Sequence, residues 1–351
     1  MYPLDFPLSV LARHGRPGEW VLDPFCGRGT TNFAARLLEM PSLGIDSSPV
    51  AAALASAKLA YATPGRVIAA AKAILSKEFM PKMPRGEFWK WAYHPDTLLH
   101  VCCLRDALLR SCSSPTRVLL RAIVMGALHG PEPKGRPSYF SNQAPRTFAP
   151  KPRYSVNFWR TRAMRPKNVN VLDIISDRAK RFLATRPPDV QGSVIVADSR
   201  DERSFTHMES PLWVITSPPY YGMRTYIPDQ WLRSWFLGGP DYVEYAQPAK
   251  QLEHTGANHF AQQLALVWKN VVRISTEQTR LVIRFGGIHD RDAEPMDVLR
   301  SSLTSGGWRI TTARAVPDAD RGRRQVRQFQ ALPMKSITEY DVYCRPAGGF
   351  A

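Results

Sequence analysis

Residues 21–31 read VLDPFCGRGTT. An apolar pair leads into Asp23, and Gly27 and Gly29 follow before NFAARLLEM takes up the apolar spacing of a helix. The stretch therefore reads as strand, turn, helix. Glycine suits such a turn because the backbone can take positive φ and a ligand can approach the N–H groups at the helix start. The pattern recurs at once, since SLGIDSSPVAAALASAKLAYA gives a second strand ending in Asp46 and a second helix. Further along, SVIVADSRD, PLWVITSPPY, TRLVIRFGG, WRITTARAV and EYDVYCRP are apolar, β-branched runs spaced like strands of one sheet. With the first two they predict seven strands in a doubly wound α/β fold.

The two blocks are separated by sequence of another kind. GRVIAAAKAILSKEF, DTLLHVCCLRDALLRSC and PTRVLLRAIVMGALHG carry helical spacing, and a proline-rich basic stretch follows them. The expected organisation is residues 1–64 as the first part of the α/β domain, 65–190 as a mostly helical insertion between strands two and three, and 191–351 as the second part.

Composition narrows the partners. The 351 residues hold 47 Lys and Arg against 30 Asp and Glu, a formal charge of +17, so an anionic partner is expected and nucleic acid fits best. No run approaches the roughly 20 apolar residues of a spanning helix, and the N-terminal MYPLDFPLSVLARHG lacks the basic-then-apolar order of a signal peptide. A soluble, cytoplasmic protein with no membrane partner is expected. The 5 cysteines show no CxxC spacing and read as reduced thiols. His94, His100, Cys102, Cys103, Cys112 and His129 lack paired-ligand spacing, so no metal site is expected.

Three readings of the glycine loop compete. A phosphate-binding P-loop needs a lysine where this chain has Thr30 and Thr31, and a dinucleotide loop wants a third glycine at Asn32. The third is a tight turn that binds nothing. The DPFxGxGT pattern resembles the cofactor loop of S-adenosylmethionine-dependent DNA amino-methyltransferases, and the sheet is then a Rossmann-like methyltransferase sheet. The resemblance implies S-adenosylmethionine as cofactor, held by Asp23, Pro24, Phe25, Gly27, Gly29 and Thr30. It places Asp23 near the methionine end, Phe25 beside the cofactor, Asp46 and Ser47 at the ribose, and Asp198 at the adenine amino group. Asp46 also suits the start of the following helix as a cap with no ligand, and Asp198 also reads as a solvated turn acid.

The fourth strand runs into Thr216-Ser217-Pro218-Pro219-Tyr220. The same family carries Asp, Asn or Ser followed by Pro-Pro-aromatic at this place. An exocyclic amine on a nucleobase is a poor nucleophile because its lone pair is delocalised into the ring. By the resemblance, the Ser217 hydroxyl and the Pro218 carbonyl each accept one N–H and aim the lone pair at a sulfonium methyl. Pro219 stiffens the loop, and Tyr220 stacks on a base extruded from the duplex. No general base is required, because the amine becomes acidic only after it gains the methyl. Ser in the first position accompanies cytosine N4 methylation in this family, whereas Asp or Asn accompanies adenine N6. The implied activity is site-specific DNA cytosine-N4 methylation in a modification or defence system, with a cognate nuclease as a possible partner. Adenine N6, an RNA base, or a non-catalytic nucleic-acid-binding protein on the same fold are the alternatives.

The remaining candidates concern the polymer. Between residues 131 and 167 nine Lys or Arg, among them Arg146, Lys151, Arg153, Arg160, Arg162 and Arg165, face the single acid Glu132. Tyr139, Phe140, Phe148, Tyr154, Phe158 and Trp159 lie among them, a mixture suited to phosphates and bases. The alternative is a solvated loop whose rings staple it to a core. Arg323 and Arg324 belong to a second basic run, DRGRRQVRQ. Tyr221, Arg224 and Tyr226 follow the proline loop and are candidates for holding an extruded nucleotide. Trp231 and Trp235 read as core, from their helical spacing.

Overall fold

The computed structural model describes residues 2–130, 135–143, 151–206, 208–222, 229–245, 251–286, 294–316 and 339–348. Arg146, Arg224, Tyr226, Arg323 and Arg324 lie outside the described residues. The chain divides into two compact units. The first comprises Met1–Leu59, Pro187–Thr225 and Pro248–Ala351, and the second Ala60–Arg186 and Tyr226–Gln247.

The first unit holds all seven expected strands: β1 (Val21–Asp23), β2 (Ser42–Asp46), β3 (Gly192–Val196), β4 (Trp213–Thr216), β5 (Arg280–Gly286), β6 (Trp308–Val316) and β7 (Glu339–Pro346). They form one sheet in the order β3-β2-β1-β4-β5-β7-β6, with β7 antiparallel to both its neighbours. This is the Rossmann-like methyltransferase arrangement. Across β5 and β7 the register is pinned by a cross-strand pair, Arg284 to Asp341, with both oxygens of the carboxylate engaged at 2.7 and 2.8 Å.

Strand alternation builds two cores from one sheet. Val21, Trp213, Ile215 and Val282 point to the face carrying α1 (Asp5–His14) and α2 (Thr30–Leu37). Leu22, Ile45, Val214, Leu281 and Ile283 point to the other, which is covered by α11 (Ala257–Arg273) and α12 (Pro295–Ser305). Between α2 and β3 the chain also forms α3 (Pro49–Leu59). The strand order reverses between β1 and β4, which run parallel with Val21 opposite Trp213 and Leu22 opposite Val214. The turns that leave their carboxyl ends therefore emerge side by side, which is where doubly wound folds place their ligands.

The second unit is helical, and proline marks where several of its helices begin. Pro64, Pro95, Pro115 and Pro152 occupy the first turns of α4 (Pro64–Leu75), α6 (Pro95–Arg110), α7 (Pro115–Ala127) and α8 (Pro152–Thr161). Thr63 and Ser114 cap α4 and α7 through their hydroxyls, and Asn170 caps α9 (Val171–Phe182). The unit's core is aromatic: Trp89 of α5 (Glu87–Ala92) stacks on Tyr93 and packs against Trp231 and Trp235 of α10 (Trp231–Phe236). The two tryptophans of α10 are thus core residues. They also place residues 226–247 in the helical unit, a segment that the sequence division left in the α/β domain.

Candidate active site

The turn after β1 is shaped by its glycines. Gly27 and Gly29 both have left-handed backbones, at φ 51° and 71°, and Gly29 caps the start of α2. A Cβ on Gly29 would lie 2.8 Å from the Cα of Ala55, so this glycine lets α2 and α3 approach. A Cβ on Gly27 would meet nothing closer than the Phe25 carbonyl at 3.9 Å, so this glycine leaves space above the turn. Pro24 and Thr30 are buried, while Phe25 is half-buried and lies edge-on to Trp268 at 6.1 Å. Asp46 ends β2 beside the loop. Its Oδ2 accepts from the Gly27 N–H at 2.9 Å, and its Oδ1 accepts from the Ser48 N–H at 2.8 Å ahead of α3. Burial raises its pKa, against the two backbone hydrogen bonds that lower it. Each carboxylate oxygen retains a further lone pair, and Ser47 beside it is half-buried.

Asp23 has a different situation from the one expected of it. It has no exposed surface, and its oxygens are taken up inside the protein. Oδ1 accepts from the Phe25 N–H at 3.1 Å and the Thr216 hydroxyl at 2.6 Å, and Oδ2 accepts from the Tyr2 hydroxyl at 2.9 Å. Burial pushes its pKa up to about 6, with the hydrogen bonds from Thr216, Thr31, Phe25 and Tyr2 opposing the shift. In place of an acid facing a cofactor, Asp23 is a buried junction between the two loops. A second tie runs beside it, from the Thr31 hydroxyl to the Ile215 carbonyl at 3.2 Å, and Thr31 also bonds Tyr2.

Asp198 is likewise engaged. Arg200 grips both of its oxygens, at 2.7 to 3.1 Å, and reaches on to Gln263 at 3.1 Å. Burial alone would raise the Asp198 pKa, but the hydrogen bonds and charge of Arg200 bring it below the usual carboxylate range. A carboxylate held bidentate by its neighbour in sequence is not the open acceptor that an adenine amino group requires. The turn still packs against the glycine loop, through the Ser199 hydroxyl on the Pro24 carbonyl at 2.6 Å.

In the loop after β4, Ser217 is half-buried, Pro218 is buried and Pro219 is exposed. Tyr220 departs from its expected role as a stacking platform. Its ring is 7% exposed and packs edge-on against Phe285 at 5.4 Å, and its hydroxyl donates to buried Glu339 at 2.6 Å. The ring that stays half-exposed is Tyr221, which leans on His254 and Phe260 at 6.2 and 5.5 Å. The imidazole of His254 also accepts from the Gly222 N–H at 3.0 Å, fixing the end of the loop.

In the helical unit, Arg153, Arg160, Arg162 and Arg165 are exposed and Lys151 is half-buried. Trp159 and Phe140 are core residues, so part of the aromatic interleaving is a staple. The rest lies at the surface: Tyr154 and Phe158 stack at 6.2 Å, Arg162 covers Phe158 at 4.0 Å, and Arg160 and Arg165 lie over Trp91 at 5.9 and 4.5 Å. Arg160 also pairs with Glu87 at 2.8 Å. Among the described residues no group of histidines, cysteines and acids could hold a metal ion, and no helix is long and apolar enough to cross a membrane.

Sequence reasoning missed Tyr2, Thr31, Thr216, Arg200 and Glu339. Thr216 was legible as part of the TSPPY string, whereas nothing local marks Tyr2 or Glu339.

Residues 2–57 match the family model described as DNA methylase. Comparison with curated proteins returns no match. Among solved structures the chain is similar to the rRNA methyltransferase aviRa of Streptomyces viridochromogenes, at 12% identity and a TM-score of 0.37, covering 99% of this chain and 86% of that one. It is also similar to an S-adenosylmethionine-dependent methyltransferase of Methanosarcina mazei, at 8% identity and a TM-score of 0.38, covering 99% and 98%. TrmN of Thermus thermophilus follows at 10% identity and 0.34, covering 98% of this chain and 48% of that one. Likeness at this level does not bear on the substrate. The strand order reverses beside the glycine loop and the DNA methylase segment spans this loop, and both support a methyltransferase that uses S-adenosylmethionine.

Proposed function

We propose that this protein transfers a methyl group from S-adenosylmethionine to an exocyclic amine of a base extruded from DNA, with cytosine N4 as the acceptor. The observation that carries the reading is the 2.6 Å hydrogen bond from Thr216 to Asp23, which seats Ser217 and Pro218 directly beside the glycine loop. When bound, the cofactor supplies a methyl on a positively charged sulfur, an electrophile with a neutral leaving group. The space above Gly27, the half-buried Phe25 and the spare lone pairs of Asp46 fit such a ligand, with Asp46 suited to ribose hydroxyls.

The protein's part is orientation. The Ser217 hydroxyl oxygen and the Pro218 carbonyl accept the two amine hydrogens and turn the nitrogen lone pair out of conjugation. The prolines hold both acceptors in place beforehand, so little ordering remains for the reaction itself. As the nitrogen gains its methyl it sheds a proton to water, and no basic side chain is required. Tyr221, the half-exposed ring of this loop, takes the stacking role expected of Tyr220. The cationic and aromatic surface of the helical unit suits a polyanion, and a role in a DNA modification system with a partner nuclease is consistent with this chemistry.

The test is mass analysis of nucleosides from DNA and RNA incubated with the protein and labelled cofactor. N4-methyldeoxycytidine is the expected product. N6-methyldeoxyadenosine, or label in RNA alone, would transfer the reading to those amines. Tight DNA binding with no label in any nucleoside and no cofactor affinity would make this a binding protein. Ser217→Ala is expected to lower kcat by about 10²-fold while cofactor affinity is retained.

A further inference from the structure

The hydrogen bond between the two loops does more than record their proximity. Thr216 is the residue immediately before Ser217, and Asp23 is the residue from which the glycine loop departs. Both are fully buried, and each end of the connection is braced separately. On one side the Asp23 carboxylate is held by the Phe25 N–H within the glycine loop and by Tyr2 from the N-terminal segment. On the other, the Ile215 carbonyl, one residue before Thr216, receives the Thr31 hydroxyl from the first turn of α2. Two parallel ties thus span the gap between β1 and β4 at their carboxyl ends, where ladder pairing between these strands is described only as far as Leu22 and Val214. Asp23 and Thr216 stay in register with their outer neighbours, Gly44 of β2 and Ile283 of β5, so the side-chain ties supply the connection on the inner side.

We propose that Thr216 and Asp23 are positioning residues for methyl transfer, clamping the amine-gripping loop to the cofactor loop so that both partners of the reaction share one rigid frame. The inference rests on the methyltransferase reading above. It adds a coupling: order imposed on the glycine loop by the cofactor passes through the clamp to residues 215–222 before any nucleic acid arrives. It also adds a pH dependence, since the clamp joins a hydroxyl donor to a carboxylate whose pKa burial has raised to about 6. The titratable groups facing that carboxylate are Tyr2 from the N-terminal segment and Cys26 from the glycine loop, and burial raises both. Thr31 of α2 and Thr216 of β4 complete its surroundings and carry no charge.

The experiment is hydrogen exchange by mass spectrometry on the full chain with and without S-adenosylmethionine, for wild type, Thr216→Val and Thr216→Ser. Cofactor is expected to slow exchange both in the glycine loop and in residues 215–222 of the wild type. Thr216→Val is expected to keep the first effect and lose the second, and Thr216→Ser to restore both. On the nucleic acid that the wild type methylates, Thr216→Val should lower kcat by about 10²-fold, with cofactor affinity within a few-fold of wild type. Its acid limb should move to higher pH, because a bond favouring the carboxylate has been removed. Unchanged protection of residues 215–222 in Thr216→Val overturns the proposal, as does a matching loss of cofactor affinity, protection in both loops and melting temperature. A wild type that methylates nothing but shows the coupled protection would refute the proposed function and leave the clamp standing.

Discussion

The Tyr220 hydroxyl donates to a carboxylate oxygen of Glu339 across 2.6 Å, joining the proline loop to the first residue of β7 over 119 positions of sequence. Both residues are buried, so this bond is made in a setting where neither group has water as a substitute. The proline loop is therefore held at both ends, by Thr216 on Asp23 before the prolines and by Tyr220 on Glu339 after them.

Removing the hydroxyl at that second anchor leaves the buried Glu339 carboxylate short of a donor. Tyr220→Phe is expected to destabilise the protein by roughly 1–3 kcal/mol, the usual consequence of taking a donor from a buried acceptor. Urea denaturation measures this directly. Pairing it with Glu339→Gln tests the assignment, since the double variant should lose less than the sum of the two singles. Strict additivity would mean that the bond contributes nothing.

Asp23 predicts a pH-dependent difference in stability. Its carboxyl has a pKa of about 6 when folded against the ordinary 3.8, so the folded protein binds its proton first as pH falls. The stability it contributes is full below 3.8 and is lost as pH rises through about 6. Asp23→Asn does not titrate. The unfolding free energy of wild type relative to Asp23→Asn should therefore decline by roughly 3 kcal/mol between about pH 4 and 7. A pH-independent difference would show that the carboxylate is ionised throughout.

The two glycines of the turn after β1 should fail in different ways. Gly29→Ala drives a methyl to 2.8 Å from the Ala55 backbone and also strains a left-handed residue, so the fold itself should suffer, by more than the roughly 1–2 kcal/mol of backbone strain alone. Gly27→Ala carries the backbone strain without the clash, and its methyl enters the space above the turn. It should melt close to wild type and bind S-adenosylmethionine more weakly. Thermal denaturation and calorimetry separate the two, and equal melting temperatures would contradict the assignment.

On the helical unit, Arg160, Arg162 and Arg165 lie exposed over aromatic rings. Replacing all three by glutamine should flatten the logarithmic salt dependence of DNA binding by about 2 to 3, if each neutralises one phosphate. An unchanged slope would locate the polyanion elsewhere on the protein.

What the sequence determined by itself was everything that rests on short-range pattern. Strand alternation, helical spacing and the glycine turn are set by steric rules acting over a few residues, and they were enough for the seven strands, while the cofactor followed from the resemblance carried by DPFxGxGT. Tertiary structure decided where the side chains of the site turn. Two prolines break the strand register before Tyr220, so no alternation says whether its ring faces a ligand or the core; packing against Phe285 and Glu339 decides it. Asp23 looked like a ligand-facing acid until Tyr2 and Thr216, 21 and 193 positions away, closed over it. Such contacts depend on which strand ends lie side by side, and that follows from the order of the whole sheet, not from any stretch of chain read alone.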